Sequence, residues 1–253
     1  MIEKIFKNLK TFQLENRRNS KRVTLHCFSP TVMIITFIVE MLLAIYTLIK
    51  SIKAKSDLGI VLTLVFLAIF QLSEYQICEG SDILFWARLG LFAITFLPVL
   101  GIYLISRLKN DSRFIKVGLF IALAFAAFFA LVPTSVDSVT CGGNYIIFDI
   151  SSSLYGFYGY YYFGFLLLGI WEAIRGIESE KRKKIKDALK WLIIGYLSFI
   201  LPLTLVYIFI PITRAAVESI MCGFAIVFAF ILAFKIAPIY HECIKREIKK
   251  DSK

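Results

Sequence analysis

The sequence has few of the residues and motifs on which common catalytic sites depend. Histidine occurs only twice, at His26 and His241, and these two lie at opposite ends of the chain. The usual zinc site of three protein ligands therefore has no histidine framework. The motifs G-x-S-x-G and H-E-x-x-H and the phosphate-binding loop are absent from the sequence as well. We therefore expect no metal and no cofactor, and an enzyme is the least supported class of function.

Polar stretches long enough to form a soluble domain are also missing between residues 28 and 240. The chain is 58% hydrophobic and contains 24 phenylalanines, which would give a soluble domain far too much apolar surface. Seven apolar runs fill this region instead, at residues 31–49, 58–77, 83–106, 117–133, 154–174, 188–210 and 215–238. A helix needs about 20 residues to cross a bilayer. The sequence therefore predicts an all-α polytopic membrane protein, a bundle of seven transmembrane helices.

Among the connections between the apolar runs, basic residues concentrate in alternate ones. The net charge of +11 is therefore a signal of membrane topology. Lysine and arginine concentrate at 50–55, 107–116 and 175–190 and after residue 244, whereas the other three connections hold one basic residue, Arg214. Positive charge is retained on the cytoplasmic side. We expect a cell-membrane protein with the C-terminus cytoplasmic and no nucleic-acid partner. The basic cluster around Lys183 either binds anionic lipids or is ordinary positive-inside charge.

The N-terminal segment 1–27 does not fit this pattern. Seven spans with the C-terminus inside place the N-terminus outside, yet this segment is rich in lysine and arginine. Apolar residues recur near helical spacing from Ile2 to Phe12, so the segment is either an amphipathic helix lying in an interface or a basic arm. A cytoplasmic N-terminus would require one run not to span, and 117–133 is the shortest. We divide the chain into 1–27, the bundle 28–240 and a basic cytoplasmic tail 241–253.

Three ionisable residues inside the predicted helices stand out, because each such residue in hydrocarbon costs about 2.5–3.5 kcal/mol. Glu40 lies at the middle of the first helix, on one face with Thr36 and Thr47. Glu40 has no evident partner, so it is either a functional group or a protonated carboxyl bonded to a neighbouring helix.

Glu74 lies near the outer end of the second helix, on one face with Gln71, and Arg88 lies five residues into the third. The short connection between these helices makes them antiparallel neighbours. The sequence therefore predicts an ion pair between Glu74 and Arg88, which either fixes the helix register or serves a ligand.

Tyrosines open the fifth helix, and Tyr155, Tyr158 and Tyr162 fall on one stripe. An aromatic belt at the outer interface is the favoured interpretation. The alternative is a small-molecule pocket at the outer mouth of the bundle.

Cysteine is scarce, with five residues in the chain. Cys78 and Cys141 both fall in connections predicted to lie outside, where thiols can be oxidised. These two are the disulfide candidate, and the other three form no evident second pair.

Two resemblances rest on short motifs between residues 27 and 106. Cys27-Phe28-Ser29 before the first helix and Phe70-Gln71-Leu72-Ser73-Glu74 on the second resemble an uncharacterised prokaryotic seven-transmembrane family, marked by a C-F-S start and a Q-x-x-E on helix two. Trp86, Arg88 and Leu97-Pro98 are similar to the seven-helix sensor region found ahead of some bacterial histidine kinases. In the first family C-F-S opens the chain, whereas here 26 residues precede it; in the second a kinase follows. The first resemblance implies that Gln71 and Glu74 are site residues.

These observations leave a receptor-like sensing or ligand-binding module as the favoured function. Such a module would bind a small molecule or lipid in the outer half of the bundle and act on a separate cytoplasmic or membrane signalling partner. The alternative is an ion- or proton-coupled transporter that uses Glu40 and Glu74. Transporters often contain broken helices, and only Pro98 and Pro202 interrupt the helices here.

Overall fold

The computed structural model describes residues 29–109, 111, 113–141, 146–150, 152–209 and 216–243. The segment 1–27 and most of the tail 241–253 lie outside these residues. Within them the chain is mostly helical, and each of the seven apolar runs falls on a helix. The helices are α1 (Pro30–Ala54), α2 (Gly59–Cys78), α3 (Ile83–Thr95), α4 (Leu97–Lys109), α5 (Ile115–Leu131), α6 (Ser152–Ser179), α7 (Lys183–Phe209) and α8 (Val217–Ile231). Helix α8 continues through a π-helical stretch, Leu232–Ile236, as far as residue 243.

Five of the helical stretches in the described part of the chain are long and apolar enough to cross a membrane. They are Pro30–Ala54, Gly59–Cys78, Ile83–Lys109, Lys183–Phe209 and Ser219–Cys243. Helix α5 is equally apolar but has 17 residues, a length of about 25 Å. The described chain is therefore consistent with the all-α, multi-pass membrane class that the sequence predicted, and it contains five candidate spans.

The first two helices are joined by a turn that folds them back on each other. Ser29 adopts an extended backbone before α1, and Pro30 occupies the first helical position, where its missing N–H costs nothing. Lys55 ends α1 in the left-handed conformation, with φ of 53°. The Asp57 carboxylate then accepts a hydrogen bond from the backbone N–H of Gly59, 3.1 Å away, at the start of α2. Helices α1 and α2 consequently pack against each other along their lengths.

A second tight turn joins α2 to α3. Gly80 has φ of 79°, a conformation that a side chain would strain. Asp82 caps α3, since its carboxylate accepts a hydrogen bond from the N–H of Phe85 at 3.2 Å. The turn is short, so α2 and α3 are antiparallel neighbours, as the sequence predicted.

Proline divides the third apolar run into α3 and α4. Pro98 has no N–H to donate to the carbonyl of Ile94, and the helix is interrupted at Phe96. The two halves continue in the same direction and together form the candidate span Ile83–Lys109.

The bundle has a buried centre and an apolar periphery. Helix α2, the α3–α4 pair and the C-terminal helix are about twice as buried as α1 and α7. Peripheral faces expose large apolar side chains, of which Phe120 (75% exposed) and Tyr160 (83% exposed) are extreme cases. An apolar exterior of this kind matches a lipid environment.

A β-hairpin that the sequence analysis missed lies between α5 and α6. Strands β1 (Val136–Cys141) and β2 (Ile146–Ile150) pair antiparallel, with one register shift near Val136. The inner side chains are buried, among them Ile146 and Phe148, and the Phe148 ring centroid lies 5.9 Å from that of Phe70 on α2. Strand β1 packs on α3, and β2 packs on α8 and α6. We call this the hairpin end of the bundle.

The opposite end, which we call the basic end, gathers the basic connections. Here the turn 55–58, the C-terminus of α4, the turn 180–182 and the last described residues meet. Ion pairs join Asp57 to Arg107 at 3.1 Å and Lys184 to Glu242 at 2.7 Å. The alternation of basic connections predicted from the sequence therefore corresponds to one physical end of the molecule.

Candidate functional site

A pocket of about 620 Å³ lies between α6, α7 and α8 toward the hairpin end. The stripe of Tyr155, Tyr158 and Tyr162 forms one wall. Tyr158 and Tyr162 are buried, whereas Tyr155 is about half exposed. The remaining lining residues are Ile94, Gly156, Gly159, Tyr160, Phe163, Gly164, Leu167, Leu203, Thr204, Tyr207, Val217 and Met221.

Glycines create the space in front of the tyrosines. A Cβ atom built at Gly156, Gly159 or Gly164 would meet no heavy atom within 4 Å. Gly118 and Gly195 are different, because a Cβ there would come within 2.6 Å and 2.4 Å of neighbouring rings. The glycines of the first half of α6 therefore border open volume, whereas these other two permit close helix packing.

Hydrogen bonds connect Tyr158 of this wall and the neighbouring Tyr161 to the break between α3 and α4. The Tyr161 hydroxyl donates to the carbonyl of Thr95 at 2.6 Å, and the Tyr158 hydroxyl lies 3.2 Å from Oγ1 of Thr95. The Tyr158 ring also packs edge-on against Phe125 and Phe129 of α5. A change in the tyrosine wall would therefore reach two other helices directly.

Buried polar groups form a second site deeper in the bundle. Glu40 on α1 is 0% exposed, and Gln71 and Glu74 on α2 are 2% and 1% exposed. These three side chains are buried on two helices that pack against each other along their lengths. Neither oxygen of Glu40 has a hydrogen-bond partner among the described residues. Three of the residues that the sequence singled out are thus brought to one helix interface.

Arg88 corrects one prediction, because within the described chain no ion pair joins it to Glu74. Its Nε donates to the carbonyl of Phe129 at 2.8 Å, and its guanidinium also donates to the carbonyl of Ala130. These carbonyls belong to the last turn of α5, whose backbone acceptors have no partner within the helix. Helix α3 therefore presents Arg88 to α5, and the arginine acts as a C-terminal cap.

Cys78 and Cys141 are joined in a disulfide, with their Cα atoms 5.3 Å apart. The bridge ties the end of α2 to the end of β1. A further contact holds the hairpin to α8, since the N–H of Ile146 donates to Oγ of Ser219 at 3.2 Å. The covalent link and this hydrogen bond fix the hairpin over the hairpin end of the bundle.

The basic end contains a polar network that the sequence analysis did not find. The Asp57 carboxylate accepts hydrogen bonds from Arg107 Nε at 3.1 Å and from the Tyr240 hydroxyl at 2.6 Å. Lys109 pairs with the buried Glu172 at 2.5 Å. The partners are 50, 183 and 63 residues apart, so spacing within one helix gave no signal. The sequence feature that could have indicated this network is the carboxylate of Asp57, in the turn directly after a predicted span.

The turn between α6 and α7 is held by its own ion pair. The carboxylate of Glu180 accepts hydrogen bonds from the guanidinium of Arg182 at 2.8 Å and 3.1 Å and from backbone N–H groups. These hydrogen bonds with Arg182 lower the pKa of Glu180 to about 2. Glu180 is therefore ionised throughout the physiological range.

Metal-ligating side chains do not cluster in the described part of the chain, where no group of three His, Cys, Asp or Glu residues could hold an ion. Comparisons with protein-family models, curated proteins and solved structures find no match for this chain. The argument for each candidate site therefore rests on the geometry of its own residues.

Proposed function

We propose that this chain is a seven-helix membrane protein that binds an amphipathic, lipid-like molecule in the tyrosine-lined pocket and acts as a sensing module. The pocket is the observation that carries the proposal. Its volume of about 620 Å³ lies in the range of ligand sites, roughly 300–1,000 Å³. Its wall includes Tyr155, Tyr158 and Tyr162, the stripe for which the sequence left a pocket open as the alternative to an aromatic belt.

The chemistry of the lining favours an apolar chain with a small polar group. The described residues that line the pocket include no acidic or basic side chain. Rings and aliphatic groups would contact the apolar part of a ligand, while the exposed hydroxyl of Tyr160 offers a hydrogen bond to its polar part. A charged metabolite would meet no counter-charge among the described lining residues, so an acyl chain or a similar amphipathic molecule fits this lining better.

The contacts around Thr95 support sensing over storage. The Tyr158 hydroxyl contacts the hydroxyl of Thr95, and the Tyr161 hydroxyl donates to the Thr95 carbonyl, beside the break that Pro98 introduces. From that break α4 runs to the basic end, where Arg107 contacts Asp57. Occupancy of the pocket would bias the angle between α3 and α4 and so change the surface at the basic end, provided that the ligand binds one helix arrangement more tightly than another.

The proposed membrane placement has all seven apolar helices crossing the bilayer. The basic end faces the cytoplasm and the hairpin end, with the N-terminus, faces outside. The concentration of lysine and arginine at one end supports this orientation. A separate signalling partner or anionic lipid would meet the protein at the basic end.

Ion- or proton-coupled transport is the second candidate. The buried carboxyl groups of Glu40 and Glu74 favour it, because intramembrane acids commonly mark ion or proton pathways.

A fluorescent polyene fatty acid tests the pocket. We expect saturable binding to the purified protein, detected by energy transfer from tryptophan, and loss of most of that binding in Gly159→Leu. The leucine would fill space in which no atom lies within 4 Å of its Cβ. Ala124→Leu places the same side chain on the exposed face of α5 and should bind like wild type. Equal binding by all three proteins, or no saturable binding to any, would contradict the proposed site.

A further inference from the structure

Three aromatic rings at the periphery of the bundle each have a basic group above them. The cationic group lies between 4.7 Å and 5.6 Å from the ring centroid, which is the distance of a cation–π contact. All three basic side chains are exposed. The pairs, which we call the girdle, are Tyr46–Lys50 on α1, Trp171–Arg175 on α6, and Trp191 of α7 with Lys235 of the C-terminal helix.

The three pairs lie at one level along the bundle. Trp171 and Trp191 stand at equal distances from the turn between α6 and α7, eight residues before the end of α6 and eight residues after the start of α7. Tyr46 lies at the level of the third pair, because its ring centroid is 5.5 Å from that of Phe234, which directly precedes the lysine of that pair. The girdle therefore marks one plane across four helices.

Charged side chains begin at this plane on α6 and α7. The segments 152–171 and 191–209 contain no aspartate, glutamate, lysine or arginine, whereas 11 of the 19 residues at 172–190 are charged. A helix of the length of either uncharged segment measures about 30 Å, which is the thickness of a hydrocarbon core. The change from uncharged to charged sequence thus coincides with the two tryptophans of the girdle.

Helices α6 and α7 continue past the girdle toward the basic end. Each has eight further residues there, about 12 Å of helix. Exposed lysines such as Lys183 and Lys190 lie on this part of α7. Helix α1 differs, because exposed Ile49 and Ile52 follow its tyrosine. The extension beyond the girdle is therefore a feature of α6 and α7.

Carboxylates of the described chain leave the girdle with excess positive charge. Lys50 and Lys235 take part in none of the ion pairs within the described residues. Arg175 lies 3.8 Å from the carboxylate of Glu172, but that carboxylate is also paired with Lys109. An aromatic ring attracts a cation without neutralising it. The girdle thus fits a partner that brings negative charge.

We propose that the girdle binds the headgroups of anionic phospholipids and fixes the membrane boundary at the basic end, so that α6 and α7 extend beyond it into water. Long basic side chains on the outer face of a span extend toward the membrane surface, and tryptophan rings lie at the headgroup level. The ammonium or guanidinium pairs with a lipid phosphate, and the indole N–H donates to a phosphate or ester oxygen. A zwitterionic headgroup brings its own cation and balances the girdle less well. This proposal rests on the proposed crossing of the bilayer and is independent of ligand binding in the tyrosine-lined pocket.

Quenching by brominated lipids in nanodiscs measures the depth of the girdle. The chain has three tryptophans, at 86, 171 and 191, so changing two of them to phenylalanine leaves a single reporter. We expect Trp171 and Trp191 to be quenched most by phosphatidylcholine brominated near the headgroup.

The matched control for depth is Leu201→Trp in a chain without the other tryptophans. Leu201 is exposed on α7, about 15 Å along the helix from Trp191, and this reporter should be quenched most by bromine near the ends of the acyl chains. Girdle tryptophans as deep as position 201 would overturn the proposed boundary. A reporter at 201 that no brominated lipid quenches would instead contradict the membrane placement itself.

The kind of headgroup is tested with Trp191 as the single tryptophan. Brominated phosphatidylglycerol should associate beside it about fivefold more tightly than brominated phosphatidylcholine, the effect of one basic side chain near a membrane surface. Lys235→Gln should abolish this preference, and Lys235→Arg should keep it. Lys183→Gln is the control, because it removes an exposed lysine that lies beyond the girdle, and it should keep the preference.

Gel filtration and circular dichroism identify any variant that fails to fold. Arg175→Gln, read by Trp171 as the single tryptophan, then replaces Lys235→Gln, with the same loss of preference expected. Equal association of the two lipids with the chain that retains Lys235 would overturn the girdle as an anionic headgroup site. An equal loss of preference in Lys183→Gln and Lys235→Gln would also overturn it, since the general positive charge of the basic end would then be the cause.

Discussion

The Tyr240 hydroxyl donates to both oxygens of the Asp57 carboxylate, at 2.6 Å and 2.7 Å, and so joins the last described helix to the first turn of the bundle. The same carboxylate caps α2 through Gly59 and pairs with Arg107 of α4. One side chain thus connects three helices at the basic end. The contact therefore links the turn after the first helix to the C-terminal helix of the described chain.

Removing the Tyr240 hydroxyl should destabilise the protein. Tyr240→Phe deletes a hydrogen bond to a charged group, which is worth about 1.5 kcal/mol, and should lower the apparent melting temperature in detergent. Tyr160→Phe is the matched control, because Tyr160 is 83% exposed. Identical melting of the two variants would mean that the Asp57 contact contributes nothing to stability.

The disulfide should hold the hairpin in the purified protein. Intact-mass analysis after alkylation should find Cys78 and Cys141 unmodified until reductant is added. Cys78→Ser should destabilise the protein by up to about 4 kcal/mol, since the bridge closes a loop across a sequence separation of 63. The double variant with Cys141→Ser should melt like the single variant, and Cys243→Ser like wild type. Alkylation at both positions without reductant would exclude the bridge.

Glu74 and Arg88 should act independently in stability measurements. Arg88→Met removes the cap on the Phe129 and Ala130 carbonyls, and Glu74→Gln alters a different interface. The double variant should therefore lose the sum of the two single losses to within about 0.5 kcal/mol. A coupling energy of roughly 3 kcal/mol between the two changes, of the size expected for a buried ion pair, would instead indicate that Glu74 and Arg88 are paired.

Single introduced cysteines test the orientation of the bundle. Positions 53, 113 and 183 are exposed at the basic end, and 82 and 137 are exposed near the hairpin end. An impermeant thiol reagent applied to intact cells should label 82 and 137 only, because positive charge is retained inside. Position 109 is a poor choice, since Lys109 is paired with Glu172. Labelling at 113 without labelling at 137 would invert the orientation.

The helices were predictable because apolar composition over about 20 residues leaves the backbone no alternative to internal hydrogen bonds. Every apolar run falls on a helix, and Pro98 marks the break between α3 and α4. The hairpin was not predicted, because its strands have five and six residues and their pairing depends on burial against α3 and α8. Short apolar segments of this kind carry a weak signal of their own.

Side-chain partners were harder to predict than helices. The position of Glu40 followed from its place in an apolar run, but the partner of Arg88 did not. A turn connection fixes which helices are neighbours and leaves open how each is rotated about its axis. Arg88 could face α2 or α5, and the unsatisfied carbonyls at the end of α5 decide between them. The network around Asp57 depends in the same way on packing between distant segments.

The hairpin has a further consequence for how a ligand would reach the tyrosines. Its buried face, with Ile146 and Phe148, covers the ends of α2 and α8, while the exposed side chains of Tyr160 and Leu167 border the pocket at the periphery of the bundle. A ligand of the proposed kind would therefore enter laterally between α6 and α7, after dissolving in the bilayer. Its effective concentration is then its mole fraction in lipid. The total ligand concentration needed for half-saturation should rise in proportion to the amount of added membrane, as for any solute that partitions before it binds.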